Sequence, residues 1–174
     1  SIFELKRLLA TNDYAAFLFE PLVLGAAGMV MYEPEALDKL IAICNDNHVF
    51  TIADEVMTGF GKTGKTFATD YLQNKPDMMC LSKALTGGTI PMAITSFTQK
   101  IFDGFCDDDT NKALFHGHTF TANPTGCAAA LASINLLQTD QMQNGEQGSL
   151  HQQCSRHASN RTDQGRRHAQ RAHP

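Results

Sequence analysis

Pro34-Glu35-Ala36-Leu37-Asp38-Lys39-Leu40-Ile41-Ala42-Ile43-Cys44-Asn45 and, shortly after it, Val49-Phe50-Thr51-Ile52-Ala53-Asp54-Glu55 decide the fold. The first run puts Leu37, Leu40, Ile41 and Cys44 on one helical face and Glu35, Asp38 and Lys39 on the other. Pro34 suits a helix opening, where its missing N–H has no partner to lose. The second run drops that period, and Val49 to Ala53 reads as a buried strand with an acidic pair at its C-terminal end. A helix leading into such a strand is the repeating unit of an α/β sheet.

The same alternation extends outward. Upstream, Ala16 to Phe19 is an apolar, aromatic-rich strand that stops at Glu20-Pro21, and its unbroken hydrophobicity predicts burial on both faces, as in a parallel sheet. Before it, Ile2, Leu5, Leu8 and Leu9 form a short helical stripe ending near Thr11-Asn12-Asp13, and Leu24 to Gly28 reads as a flexible loop. Downstream, Gly59, Gly61 and Gly64 mark a loop, Phe67 to Leu72 a short helix, and Met78 to Leu81 a strand that delivers Ser82-Lys83. Met92 to Thr95 reads as a further strand, Gln99 to Phe105 as a helix, and Asp107-Asp108-Asp109 as a solvated turn. The last element is a helix from Pro124 to about Leu137, whose Ala128, Ala129, Ala130 and Ala132 permit close packing. The expected fold is α/β, a mainly parallel sheet flanked by helices. Ligands of such sheets bind beyond the C-terminal strand ends, which singles out Asp54 and Lys83.

Composition narrows the class. The 43% hydrophobic and 18% charged content of these 174 residues is that of a soluble globular chain. The longest apolar runs are far too short to cross a bilayer, and no basic-then-apolar signal opens the chain. It lacks an initiating Met, so a piece of something longer is expected. A net charge of −4 gives no reason to expect nucleic acid or an anionic membrane as partner. Cys44, Cys80, Cys106, Cys127 and Cys154 have neither ligand nor redox spacing, so they read as incidental thiols of a reducing, cytoplasmic compartment.

The charge is unevenly spread. Residues 1–143 carry nine basic and sixteen acidic residues, whereas 144–174 carry five arginines, two acids and no lysine. That second stretch holds four of the seven histidines, and Leu150 is its only aliphatic residue larger than alanine. Without an apolar face it cannot offset the entropy of ordering itself, so disorder or loose attachment is expected. A shifted reading frame is the favoured origin; a natural basic tail for nucleic acid, or a metal tract using His151, His157, His168 and His173, is less favoured. The expected organisation is a partial domain over 1–143 and an atypical polar, basic tail over 144–174.

Three constellations can carry chemistry. In Cys80-Leu81-Ser82-Lys83-Ala84-Leu85-Thr86-Gly87-Gly88 a lysine follows an apolar strand and precedes small residues, so its amine can face a cleft. Desolvation or a nearby cation there favours the neutral, nucleophilic amine, although a lone lysine is usually a surface charge. In Phe50-Thr51-Ile52-Ala53-Asp54-Glu55-Val56 an acid ends a hydrophobic strand, as a partner for that site or as a plain cap. In Phe115-His116-Gly117-His118-Thr119-Phe120 a threonine hydroxyl is available to a phosphate oxygen. His116 and His118 lack an acidic third ligand, so no metal site is expected. Gly59-Phe60-Gly61-Lys62-Thr63-Gly64 lacks the glycine order of a nucleotide phosphate loop. Alone, these residues point to an α/β enzyme domain with a lysine nucleophile.

Taken together, Phe19-Glu20-Pro21, Ile52-Ala53-Asp54-Glu55-Val56, Thr58-Gly59-Phe60-Gly61-Lys62-Thr63-Gly64-Lys65, Ser82-Lys83-Ala84-Leu85-Thr86-Gly87-Gly88 and His116-Gly117-His118-Thr119-Phe120 closely resemble the class III aminotransferases. The likeness covers about residues 14–137 in order and spacing. It implies the large domain of a fold-type-I pyridoxal-phosphate enzyme, with Lys83 as the covalent anchor and proton carrier. Asp54 is implied to pair with the pyridine nitrogen, and Glu20 resembles the family's active-site glutamate. Thr119 is implied to reach the phosphate of the neighbouring subunit's cofactor, hence a homodimer. Gly25-Ala26-Ala27-Gly28-Met29-Val30-Met31-Tyr32 and Lys83-Ala84-Leu85-Thr86-Gly87-Gly88-Thr89 are most similar to the branch that moves an amino group from S-adenosylmethionine to 8-amino-7-oxononanoate. His118 departs from that branch, which often has proline there. The family's upstream phosphate-cupping turn and downstream carboxylate-binding arginine have no counterpart here, and Arg156 and Arg161 lack suitable surroundings, so the isolated chain is expected to be inactive. Two alternatives stay open: a class III enzyme with an ω-amino acid, ornithine or lysine donor, and a nonenzymatic binding domain.

Overall fold

A computed structural model describes residues 2–10 and 14–144, with the side chains of 140–144 excepted. Beyond Asn144, the basic stretch singled out in the sequence lies outside the described residues. The elements in chain order are helix α1 (Ile2–Leu9), strand β1 (Ala16–Phe19), a hairpin of β2 (Val23–Leu24) and β3 (Val30–Met31), helix α2 (Pro34–Asp46), and strand β4 (Phe50–Asp54). A 3-10 turn (Ala68–Tyr71), strand β5 (Met78–Leu81), a second 3-10 turn (Lys83–Thr86), strand β6 (Ile94–Phe97), helix α3 (Gln99–Asp103), a third 3-10 turn (Thr110–Lys112) and helix α4 (Pro124–Asn144) follow.

The main sheet has the order β1-β4-β5-β6. β1 pairs with β4 and β4 with β5 in parallel, while β6 runs antiparallel to β5. This is the α/β architecture, a mixed, mainly parallel sheet flanked by helices. The register aligns Phe19 with Ala53 and Asp54 with Cys80, so the C-terminal ends of β1, β4 and β5 share one edge of the sheet.

Because side chains alternate across a strand, the register sorts them into two faces. Phe19 and Ala53 pack with Leu37 and Ile41 of α2 and with Leu72. Leu81 and Leu85 pack with Phe60 and with Ala130 of α4. Met79 touches both clusters and makes them one continuous layer. Thr51 belongs to this face and is wholly buried, with its N–H and hydroxyl donating to Asp77 Oδ2 at 2.8 and 2.9 Å. A buried polar group so satisfied carries little penalty.

The opposite face differs from expectation. Leu18 is 62% exposed, and Ile52, Asp54, Met78 and Cys80 are only half-buried. The sequence predicts β1 buried on both sides; Leu18 stays open instead, because α2 and α4 both pack on the other layer. Three smaller differences appear. The loop expected at Leu24 to Gly28 is the turn of the β2–β3 hairpin, β6 starts two residues later than the sequence suggests, and α4 runs further. None of the described helices is long and apolar enough to cross a membrane.

Candidate active site

The parallel register brings three of the four candidate residues to one edge. Glu20 follows β1, Asp54 ends β4, and Lys83 comes two residues after β5. Neighbouring strands lie about 4.8 Å apart, so β1, β4 and β5 span only two such steps.

Asp54 spends one carboxylate oxygen on the Val56 N–H, at 3.0 Å. Its other oxygen has no partner among the described residues. Directly after it, Glu55 is wholly buried and turned away from the edge. The Glu55 carboxylate accepts from the Thr58 hydroxyl at 2.5 Å, the Ala68 N–H at 3.1 Å and the Thr69 N–H at 2.7 Å. Its own N–H donates to the Cys80 carbonyl at 3.0 Å. The acidic pair therefore divides its labour: Glu55 ties the 58–69 loop to the strand end, and Asp54 keeps an oxygen open.

Glu20 is pinned rather than open. Its Oε2 accepts the Gly25 N–H at 2.7 Å, and its carbonyl accepts the Tyr32 hydroxyl. A Cβ at position 25 would lie 2.7 Å from Met57 Sδ and 3.0 Å from Glu20 Oε2, so any larger residue must displace those side chains. Burial pushes the Tyr32 phenol up to about 12, which keeps it a donor at any ordinary pH. Beside these groups an open cleft of about 510 Å³ wraps the free edge of β1, with Phe17, Leu18, Leu24 and Tyr32 on its wall and Glu20 and Asp54 among its lining. Lys83 does not line it.

Lys83 opens its 3-10 turn at φ +40°, in the left-handed region. For a residue with a side chain this costs about 1–3 kcal/mol and persists only where the surroundings enforce it. They do so here. The Ser82 hydroxyl donates to the Met92 carbonyl at 2.8 Å, the Thr86 hydroxyl to the Ile90 carbonyl at 2.7 Å, and the Ser133 hydroxyl of α4 to the Ala84 carbonyl at 3.1 Å. Leu85 is buried beneath α4, and Gly87 closes the turn at φ +60°. Lys83 itself is exposed, so the described residues do not supply the desolvation expected of its amine. No hydrogen bond or ion pair occupies that amine among them.

Thr119 stands outside this group. It lies in a turn within a wholly exposed run, residues 111–122, and no hydrogen bond links it to Glu20, Asp54 or Lys83. His118 turns back locally, with its Nδ1 accepting the Phe120 N–H at 3.2 Å. Among the described residues no cluster of three or more histidine, cysteine, aspartate or glutamate side chains could hold a metal. Sequence reasoning assigned no role to Glu55, Tyr32 or Ser133. For Glu55 the signal was its place beside Asp54; Ser133 offered none, since its partner lies 49 residues away.

Comparison with known proteins gives this edge its context. The profile described as Aminotransferase class-III matches residues 2–160. The chain belongs to the class III aminotransferases.

This class III chain is 49% identical over 137 residues to the adenosylmethionine-8-amino-7-oxononanoate aminotransferase of Synechococcus elongatus, covering 79% of the chain and 32% of that relative. The enzyme of the same name from Geobacter sulfurreducens is 42% identical over 142 residues, covering 80% and 31%. Among solved structures, the adenosylmethionine-8-amino-7-oxononanoate aminotransferase of Methanocaldococcus jannaschii superposes with a TM-score of 0.70 at 35% identity, covering 80% of this chain and 35% of that one. The ornithine aminotransferase of Toxoplasma gondii superposes with a TM-score of 0.70 at 30% identity, covering 79% and 31%. The chain thus spans about a third of the length of the curated relatives it matches. Class III aminotransferases are fold-type-I, pyridoxal-phosphate enzymes, and the donor set at this edge fits that cofactor. A carboxylate oxygen and a primary amine, both without partners among the described residues, are what a pyridine nitrogen and an aldehyde carbon require.

Proposed function

We propose that this chain is part of a transaminase that moves an amino group from S-adenosylmethionine to 8-amino-7-oxononanoate, giving 7,8-diaminononanoate, with pyridoxal phosphate as cofactor. The observation that carries the reading is the adjacency of β4 and β5 in parallel register, with Asp54 and Lys83 at one sheet edge. The choice of substrates rests on the likeness to relatives that bear that name.

Pyridoxal phosphate, when bound, supplies an electron sink for the carbon that exchanges its amino group. Lys83 holds the cofactor through Nζ and carries a proton to and from the reacting carbon, where a positioned base is worth a large rate factor. The free oxygen of Asp54 would pair with the pyridine nitrogen and favour its protonated form. Glu20, held by the Gly25 N–H, would be a further carboxylate beside the cofactor. Thr119 would donate its hydroxyl to the phosphate in a neighbouring subunit of a homodimer, and its exposure supports that reading. Four free thiols among the described residues suit a cytoplasmic enzyme.

The ornithine aminotransferase likeness keeps a second donor class in view. Full-length protein that takes its amino group from ornithine, and not from S-adenosylmethionine, establishes that alternative. The 174-residue chain alone should be inactive, and measured turnover overturns that statement. Addition of pyridoxal phosphate to the purified chain should produce a visible absorption band that Lys83→Ala abolishes. A band surviving that substitution removes Lys83 from its role.

A further inference from the structure

We propose that Ser133 is a positioning residue for Lys83, holding the turn in the conformation that presents the amine at the sheet edge. This rests on the reading of Lys83 as the cofactor-bearing residue, and it adds a group from a distant helix to that residue's support.

The turn 83–86 has several internal fastenings. The Leu85 N–H donates to the Ser82 carbonyl at 2.9 Å and the Gly87 N–H to the Ala84 carbonyl at 3.0 Å. The hydroxyls of Ser82 and Thr86 bond to Met92 and Ile90. All of these partners lie between residues 82 and 92, so they shape the turn at the end of β5 without joining it to α4. The Ser133 hydroxyl supplies a hydrogen bond from outside that segment, to the carbonyl of the residue next to Lys83, across 49 positions of sequence. Leu85, packed against Ala130 one helical turn earlier on α4, adds an apolar anchor that lacks direction. A hydrogen bond fixes orientation where a hydrophobic contact does not. The left-handed φ at Lys83 is the conformation most prone to relax once an external tether is lost.

The test uses the full 174-residue chain with Ser133→Ala and Ser133→Thr. Amide hydrogen exchange is read at Leu85 and Gly87, with Thr51 and Ile52 of β4 as the control for the rest of the fold. Separately, pyridoxal phosphate is trapped on lysines with borohydride, and the rate at Lys83 is divided by that at the exposed Lys39. Ser133→Ala should speed exchange at Leu85 and Gly87 about fivefold, the value of one ordinary hydrogen bond, and lower the trapping ratio by about the same factor. Ser133→Thr, which keeps the hydroxyl, should restore both. The proposal is overturned if neither quantity moves, if the β4 amides accelerate equally, or if Ser133→Thr behaves as Ser133→Ala. Should the unaltered chain show no preference for Lys83 over Lys39, the cofactor reading fails instead, and exchange alone then decides whether the tether exists.

Discussion

The two faces of the main sheet are made from the same strands and have opposite fates. On one, Phe19, Ala53 and Leu81 lie beneath helices α2 and α4, and the buried polar groups Thr51 and Glu55 are satisfied by Asp77, Thr58 and the backbone of the 68–69 turn. On the other, Leu18 is open and one oxygen of Asp54 has no partner among the described residues. The covered face supplies the cohesion of the described residues, and the open face presents the Asp54 carboxylate at its strand end. Cohesion and accessibility are thus divided across the thickness of a single sheet.

Substitutions on either side can break that division. Leu37 on α2 is 1% exposed, and Leu37→Ala should cost about 3 kcal/mol, from lost burial and the cavity left behind. Urea unfolding measures it, and a loss below about 1 kcal/mol would mean that the covered layer is not the core. Next comes Tyr32, at the rim between the faces. Its folded value near 12 lies above the ordinary value of 10, so its contribution is whole below pH 10 and fades as pH rises toward 12. About 2 kcal/mol should disappear across that window, and Tyr32→Phe should remove this share of the pH dependence. Gly25→Ala should cost about 1 kcal/mol, because the far end of Met57 can move aside while Glu20 must shift. Smallest is Leu18→Ser on the open face, expected within about 0.5 kcal/mol of the unaltered chain. If Leu18→Ser matched Leu37→Ala, the two faces would be equivalent and the comparison lost.

The elements with a long, clean period were legible. Helix α2 and strands β4 and β5 stand within a residue of the expected bounds, because Leu37, Ile41 and Cys44 can share a face only in a helix and because Met78 to Leu81 is too short and apolar to be anything else. The β2–β3 hairpin was not legible, since strands of two residues carry no period. Nor was the exposure of Leu18: an apolar run reports what a strand prefers, while burial depends on what arrives to cover it. The meeting of Glu20, Asp54 and Lys83 followed from parallel strands ending together. The Glu55 and Ser133 contacts did not, because their partners are chosen by loop closure and helix docking, which no local pattern encodes.

Position 83 is under two incompatible demands. The backbone there asks for glycine, the residue that occupies left-handed space without penalty, whereas an amine requires four methylenes and the strain that comes with them. On the role proposed for Lys83, a chain drifting toward greater robustness at this point would discard its nucleophile, and selection for durability and for turnover would pull the same codon in opposite directions.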